Sequence, residues 1–282
     1  MTERGFEIRM KNLNGRCAIV TGASAGLGVR VARALARQGM NLVLAARSPE
    51  LLEAVALEMR ELGVKAIAVP TDVSDDSQLQ QLVDRTLSEF GSIDVLVNNA
   101  GIEAFRSYHE IDPQDIHRTI DVNLTGTLIL TRLVLPHMVK AGSGHIVNMA
   151  SIAGKQGPAF GATYGATKAG MIAFTQSLRC EYHGTGISAT AICPGFASDG
   201  GVYEVIRKRV GRGTPWYVGS TTAEAVANAV VKGIKQDRPD LIVNFPALRP
   251  IFTLCQMCPR LGEWIVRSTT FRFLKRAGKR TS

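Results

Sequence analysis

The chain is most informative first in what it has little of. No window approaches the ~18 consecutive apolar residues that a bilayer-spanning helix needs, so no transmembrane segment is expected. The opening stretch, MTERGFEIRMKNLNGR, is charged and has no apolar core, which argues against a secretory signal. Cysteine is scarce and odd in number: Cys17, Cys180, Cys193, Cys255 and Cys258 make no disulfide framework. A reducing, cytoplasmic setting is the expectation. Cys255 and Cys258 form a CxxC, but no second ligand pair accompanies it, so no metal site is expected. Low-complexity tracts, repeats and linkers rich in Pro, Gly or Ser are also missing, which favours one domain over two for 282 residues.

Acidic residues are the other shortage, with 24 against 33 basic ones. The imbalance is local. Residues 249–282 hold Arg249, Arg260, Arg267, Arg272, Lys275, Arg276, Lys279 and Arg280 against Glu263 alone, so this tail carries +7 of the net +9. The rest of the chain is nearly neutral. A nucleic-acid-binding fold would instead spread a basic face over the domain itself, and no nucleic-acid partner is expected.

What is present is a rhythm. Short unbroken apolar runs at 16–21, 41–46, 66–71, 95–98, 145–149, 188–193 and 241–245 read as strands covered on both faces. Helical patterns at 27–38, 50–62, 77–90 and 163–183 lie between them. This alternation implies right-handed crossovers and an α/β, doubly wound Rossmann fold with a mostly parallel seven-stranded sheet. The expected layout is an N-terminal extension at 1–15, a catalytic domain at 16–248 with a lid at 195–219, and a basic amphipathic tail at 249–282.

Glycine, at 28 residues, is abundant and clusters where chemistry would need it. Thr21-Gly22-Ala23-Ser24-Ala25-Gly26-Leu27-Gly28 joins the first strand to the first helix. Glycines there permit a tight turn and let a pyrophosphate approach the positive helix N-terminus. This TGxxxGxG spacing resembles the short-chain dehydrogenase/reductase family, and the rest of the chain follows the same order. Asp72-Val73 follows the third strand, Asn98-Asn99-Ala100-Gly101 ends the fourth, and Asn123 stands three residues before Gly126. Ser151 ends the fifth strand, Tyr164-x-x-x-Lys168 follows 13 residues later, and Pro194-Gly195 closes the sixth. The resemblance implies catalytic roles for Asn123, Ser151, Tyr164 and Lys168. It implies cofactor contacts from Gly22, Ser24, Gly26, Leu27, Gly28, Asp72, Val73, Asn99, Ala100, Gly101, Tyr164, Lys168, Pro194 and Gly195. It also implies that Asn123 holds a water in a proton relay to Lys168, and that the chain assembles as a homodimer or homotetramer through its long helices. One departure stands out: where the family commonly carries Thr to bond the nicotinamide carboxamide, this chain has Asp199, with Ser198 just before it.

The chemistry can be argued from the residues as well. Tyr164 and Lys168 are i and i+4, so one helix face presents both. An ammonium close to a phenol favours the phenolate, and the expectation is a Tyr164 pKa lowered toward working pH, where general acid–base catalysis is most effective. At the end of the second strand, where NAD-users place a carboxylate for the ribose 2′-OH, stand Ala46 and then Arg47. A guanidinium matches a phosphate bidentately, so the expected cofactor is NADP(H).

In the lid, Phe196, Val202, Tyr203, Val205, Ile206, Trp216 and Tyr217 offer apolar contact, while Arg207, Lys208, Arg209 and Arg212 offer charge to an acidic head group or to water. In the tail, Leu261, Trp264, Ile265, Phe271 and Leu274 recur at helical spacing among basic residues. That composition suits either a helix in an anionic membrane interface or one packed on the body or a partner subunit. The functional expectation is an NADP(H)-dependent oxidoreductase interconverting a ketone and a secondary alcohol on a lipophilic substrate, such as a 3-oxoacyl, sterol-like or sphingoid-type carbonyl. The alternative is a catalytically silent NADP(H)-binding scaffold or sensor.

Overall fold

A computed structural model describes residues 10–198, 211, 214–215 and 218–275. Seven short strands form one sheet: β1 (Cys17–Thr21), β2 (Asn41–Ala46), β3 (Ala66–Pro70), β4 (Val95–Asn98), β5 (Gly144–Met149), β6 (Ile187–Pro194) and β7 (Asp240–Val243). Their order is β3-β2-β1-β4-β5-β6-β7, and every pairing is parallel. The sheet is therefore wholly parallel where a mostly parallel one was expected. Strands β1, β4, β5 and β6 are buried along their entire length, as their unbroken apolar character requires.

Helices cover both faces. α1 (Gly26–Ala36), α2 (Pro49–Glu61) and α7 (Ala223–Gln236) pack on one side through Val31, Leu35, Leu52, Met59, Val226 and Val230. α3 (Asp76–Phe90), α5 (Gly126–Ala141) and α6 (Ala162–Glu181) pack on the other through Leu79, Leu82, Leu130, Val134, Met138 and Leu178. The stretch Pro113–Ala141 is long and apolar enough by composition to cross a membrane. It is instead a core element, made of α4 (Pro113–Ile120), a wide π-type turn at Asp121–Thr125 and α5, whose apolar residues meet the sheet. Val73 approaches so closely that a Cβ on Gly126 would lie 2.2 Å from the Val73 carbonyl oxygen.

The chain leaves the sheet in opposite directions from β1 and β4, and this reversal opens a crevice at the carboxyl ends of the strands. Ser24, Asn99, Ser151 and Gly195 all lie in the loops beyond those ends. The last expected strand, 241–245, is displaced. β7 stops at Val243, and Phe245 makes an isolated antiparallel bridge to Ser220. Beyond it, α8 (Arg249–Met257) and α9 (Pro259–Val266) run on through a π-type turn at Arg267–Phe271 to a last helical turn, Arg272–Leu274. The tail is thus helical over nearly all of its described part, as its spacing predicted, with a break at Cys258.

Candidate active site

The Gly-rich turn is shaped by close approaches that only glycine permits. Gly22 and Gly26 have φ of +63° and +59°, in the left-handed region. A Cβ on Gly28 would lie 2.1 Å from the Gly22 carbonyl oxygen, and one on Gly22 would lie 2.9 Å from Ala100 Cα. The turn, the first helix and the end of β4 are therefore wedged together by the absence of side chains. Ala25, the residue capping α1, offers no side-chain acceptor, so the first helical amides receive no cap from it. A concave backbone surface at an uncapped helix N-terminus fits an anionic pyrophosphate.

Beneath this cradle the Asn and Thr residues act as pegs. The Thr21 hydroxyl accepts from the Asn99 and Ala100 amides, both at 3.0 Å, and the Asn99 amide group donates to the Thr21 carbonyl at 2.8 Å. Asn98 is fully buried and donates to Asn148 at 2.9 Å and to Thr131 at 3.1 Å. Asn148 in turn donates to Thr175 on α6 at 2.9 Å. These satisfied polar contacts tie β4, β5, α5 and α6 into one register. A Cβ on Gly101 would lie 3.4 Å from Asn123 Oδ1 and 3.5 Å from Lys168 Nζ.

At the rim, Ala46 ends β2 and its carbonyl accepts from the Thr71 amide at 2.9 Å, which brings the β2 and β3 ends together. Arg47 is exposed there. Asp72 is held below the usual carboxylate range, first by the Ser74 hydroxyl bonded at 2.6 Å and further by the Arg47 charge. The edge of the cradle therefore offers a solvent-facing guanidinium and no carboxylate at the position of Ala46.

Ser151, Tyr164 and Lys168 converge on one cavity of about 680 Å³. Ser151 caps a short turn by accepting from the Ala153 amide at 3.1 Å. Lys168 is buried, donates to the Met149 carbonyl at the end of β5 at 2.7 Å, and lies 5.6 Å from the centre of the Tyr164 ring. Burial lowers its pKa from 10.5 to about 8. Burial acts on Tyr164 the other way: it pushes the phenol above its ordinary range, Glu103 adds to the rise, and a hydrogen bond with Ser151 offsets part of it. The expected fall in the Tyr164 pKa is therefore corrected. Desolvation by burial is the largest cause, and it favours the neutral phenol.

Asn123 lies between three elements. Its carbonyl oxygen accepts from the Ile102 amide at 2.7 Å, while its amide group donates to the Ile102 carbonyl at 2.8 Å and to Thr167 at 3.2 Å. The side chain is a clamp between the π-type turn, the loop after β4 and α6. It is fully buried.

The comparisons with known proteins agree with this geometry. Residues 16–208 match the family described as short chain dehydrogenase. This chain belongs to the short-chain dehydrogenase family. It is 43% identical over 235 residues to Ketoacyl reductase HetN of Nostoc sp., covering 83% of this chain and 80% of that one. It is 41% identical over 188 residues to a 3-oxoacyl-[acyl-carrier-protein] reductase of Synechocystis sp., covering 66% of this chain and 76% of that one. Among solved structures it resembles a variant of actinorhodin polyketide ketoreductase with NADPH, with a TM-score of 0.72 and 31% identity over 84% of this chain and 97% of that one.

In this short-chain dehydrogenase the far wall of the cavity comes from the tail, which the motifs gave no means of placing. Leu248, Phe252, Cys255, Ile265, Val266 and Leu274 face the same space as Tyr164 and Ser151. Phe273 and Leu274 are buried against Phe105, with Phe160 and Phe196 around them. The Phe196 and Phe273 rings meet edge to face at 5.7 Å, and Phe160 stacks on Phe271 at 5.5 Å. A Cβ on Gly262 would lie 3.0 Å from Cys255 Cβ, which sets the close crossing of α8 and α9. Of the tail residues singled out by spacing, Ile265 and Leu274 line the cavity, whereas Trp264 is 64% exposed. Among the described residues no cluster could hold a metal. Ser198 is engaged elsewhere, its hydroxyl donating to the Thr221 carbonyl at 3.2 Å. Asp199, Val202, Tyr203, Val205, Ile206, the lid's basic residues, Trp216 and Tyr217 lie outside the described residues, while Phe196 and Val218 line the cavity.

Proposed function

We propose that this protein is an NADP(H)-dependent oxidoreductase that interconverts a ketone and a secondary alcohol on a lipophilic substrate, with Tyr164 as general acid and base. One observation carries the reading: a single cavity holds Ser151, Tyr164 and Lys168 at its sheet end and apolar side chains of α8 and α9 at the other. The NADPH present in the related ketoreductase structure and the acyl groups in the names of the two reductase relatives point the same way.

Gly22, Ser24, Gly26, Leu27 and Gly28 would hold the pyrophosphate side of the cofactor, and Arg47 its 2′-phosphate. Asp72, Val73, Asn99, Ala100 and Gly101 would line the adenosine and ribose side, and Pro194 and Gly195 the nicotinamide side. When bound, the nicotinamide carries the two electrons and the hydrogen that the carbonyl carbon gains or loses. Ser151 positions the substrate oxygen by a hydrogen bond. Tyr164 donates its phenolic proton to that oxygen in reduction and recovers it in oxidation. In the apolar cavity a raised phenol pKa keeps the proton on Tyr164 until a developing alkoxide takes it. The Lys168 ammonium then opposes the negative charge left on the phenolate, and its bond to Met149 fixes where that charge sits. Asn123 serves by holding the loop that bears Gly101.

Assembly as a homodimer or homotetramer through the long helices accompanies this reading, and size-exclusion chromatography with light scattering measures it. NADPH oxidation across ketones of increasing chain length tests the activity. Turnover that rises with chain length supports it. Cofactor binding with no turnover of any ketone would leave the silent scaffold instead.

A further inference from the structure

The tail has two faces, and the cavity accounts for only one. Phe252, Cys255, Ile265, Val266 and Leu274 look inward. On the outer side Met257 is 78% exposed, Trp264 64% and Leu254 48%. Trp264 stands between Arg260 and Arg267 at i−4 and i+3, so an aromatic is flanked by cations on one helix face. Arg272 and Lys275 continue the exposed basic series. Three charges of the tail are already engaged: Arg249 pairs with Asp240 at 3.0 Å, and Glu263, the tail's only acid, lies 3.7 Å from Arg267. A soluble helix does not need a Trp, a Met and a Leu exposed within two adjoining helices.

We propose that the outer face of the α8–α9 hairpin docks on an anionic lipid bilayer. The apolar side chains would enter the interfacial region while the guanidinium and ammonium groups meet lipid phosphates and carboxylates. Charge selects this occupant over a second copy of the same face, because two tails of +7 each would be brought together. The hairpin is then a wall with lipid on one side and the catalytic cavity on the other. A substrate held in the bilayer reaches Tyr164 across this wall, without crossing bulk water. The docking rests on the hairpin alone; delivery of substrate from the bilayer rests also on the carbonyl-reductase reading.

The test is co-sedimentation of the full chain with vesicles of phosphatidylcholine alone and of phosphatidylcholine mixed with phosphatidylglycerol, in parallel with NADPH oxidation on a short water-soluble ketone. The expected result is binding to the anionic vesicles only. Binding should weaken roughly thirtyfold in an Arg260→Gln/Arg267→Gln variant, by the usual contribution of a basic residue near such a surface. It should weaken again in Trp264→Ser/Met257→Ser. Both variants should retain wild-type turnover of the soluble ketone, which shows that they fold. Equal binding by wild type and variants, or no binding by the wild type, would overturn the docking. So would a wild-type dimer that Trp264→Ser/Met257→Ser converts to monomer without any effect on vesicle binding. Loss of ketone turnover in every protein, wild type included, would count against the enzyme reading and leave the vesicle result standing.

Discussion

Lys168 Nζ is held 2.7 Å from the Met149 carbonyl oxygen and 5.6 Å from the centre of the Tyr164 ring one helical turn away. A cation fixed to the end of the sheet is therefore presented to the ring proposed to exchange the proton. Because burial lowers Lys168 to about 8, its charge is lost as pH rises through that value. Reductive kcat/KM should stay level below pH 8 and fall about tenfold per unit above it, if the protonated amine is required. Lys168→Arg should move the break upward. A pH–rate profile of the two proteins that shows the same break would remove Lys168 from the titration.

Tyr164→Phe should lower kcat by about 10²- to 10⁴-fold, the usual worth of a general acid. Binding of NADPH, followed by fluorescence titration, should change little, because the cradle is built from backbone at Gly22, Gly26 and Gly28. A variant that keeps most of its kcat would show that another group supplies the proton.

Selection between the two nicotinamides should lie with Ala46 and Arg47. Ala46→Asp with Arg47→Ala places a carboxylate where the 2′-phosphate would sit and removes the guanidinium. The ratio of kcat/KM for NADPH to that for NADH should drop by at least an order of magnitude, as each charged contact is worth about 1.5–3 kcal/mol. An unchanged ratio would place the phosphate contact elsewhere.

Substrate length should be set by the tail wall. Val266→Trp puts an indole into the cavity from the α9 side, remote in sequence from Ser151 and Tyr164. Long-chain ketones should lose turnover while short ones keep it. If both fall together, the tail does more than bound the pocket.

Acid stability should trace to His145. It is buried in β5, bonded to the Thr190 hydroxyl at 2.9 Å, and burial lowers its pKa from 6.5 to about 4. The unfolded chain binds the proton first as pH falls, so stability should decline between pH 6.5 and 4, by up to about 3 kcal/mol at 1.36 kcal/mol per unit. In His145→Gln, urea unfolding across that range should show a shallower decline. Parallel pH dependence in both proteins would assign the loss to carboxylates.

The strands and the glycine turn were legible because their signals are local: an unbroken apolar run or a glycine at a forced approach needs no knowledge of the rest. The helix at 27–38 was displaced by only one or two residues from α1. The tail was legible as helix and illegible as place. Its apolar spacing at Leu261, Ile265 and Leu274 is the same whether the face meets a bilayer or a cavity, and only the fold shows that Ile265 and Leu274 turn inward while Trp264 does not. The Tyr164 pKa failed for a related reason. Sequence separation gives the Lys168 charge, whereas the burial that desolvates the phenol, the Glu103 charge that adds to the rise and the Ser151 bond that offsets part of it are brought together only by the fold. Asn123 was found by motif, but its partner Ile102, 21 residues away, carries no signal in sequence.

The close crossing of α8 and α9 at Cys255 and Gly262 has a wider consequence. The groups assigned to the reaction lie on α6, in the π-type turn and in the loop after β5, while much of the far wall of the cavity lies on one contiguous stretch at the other end of the sequence. Selectivity and reactivity can therefore drift independently. Substitutions confined to that stretch can retrain the enzyme toward a new ketone while the proton-transfer apparatus stays as it is.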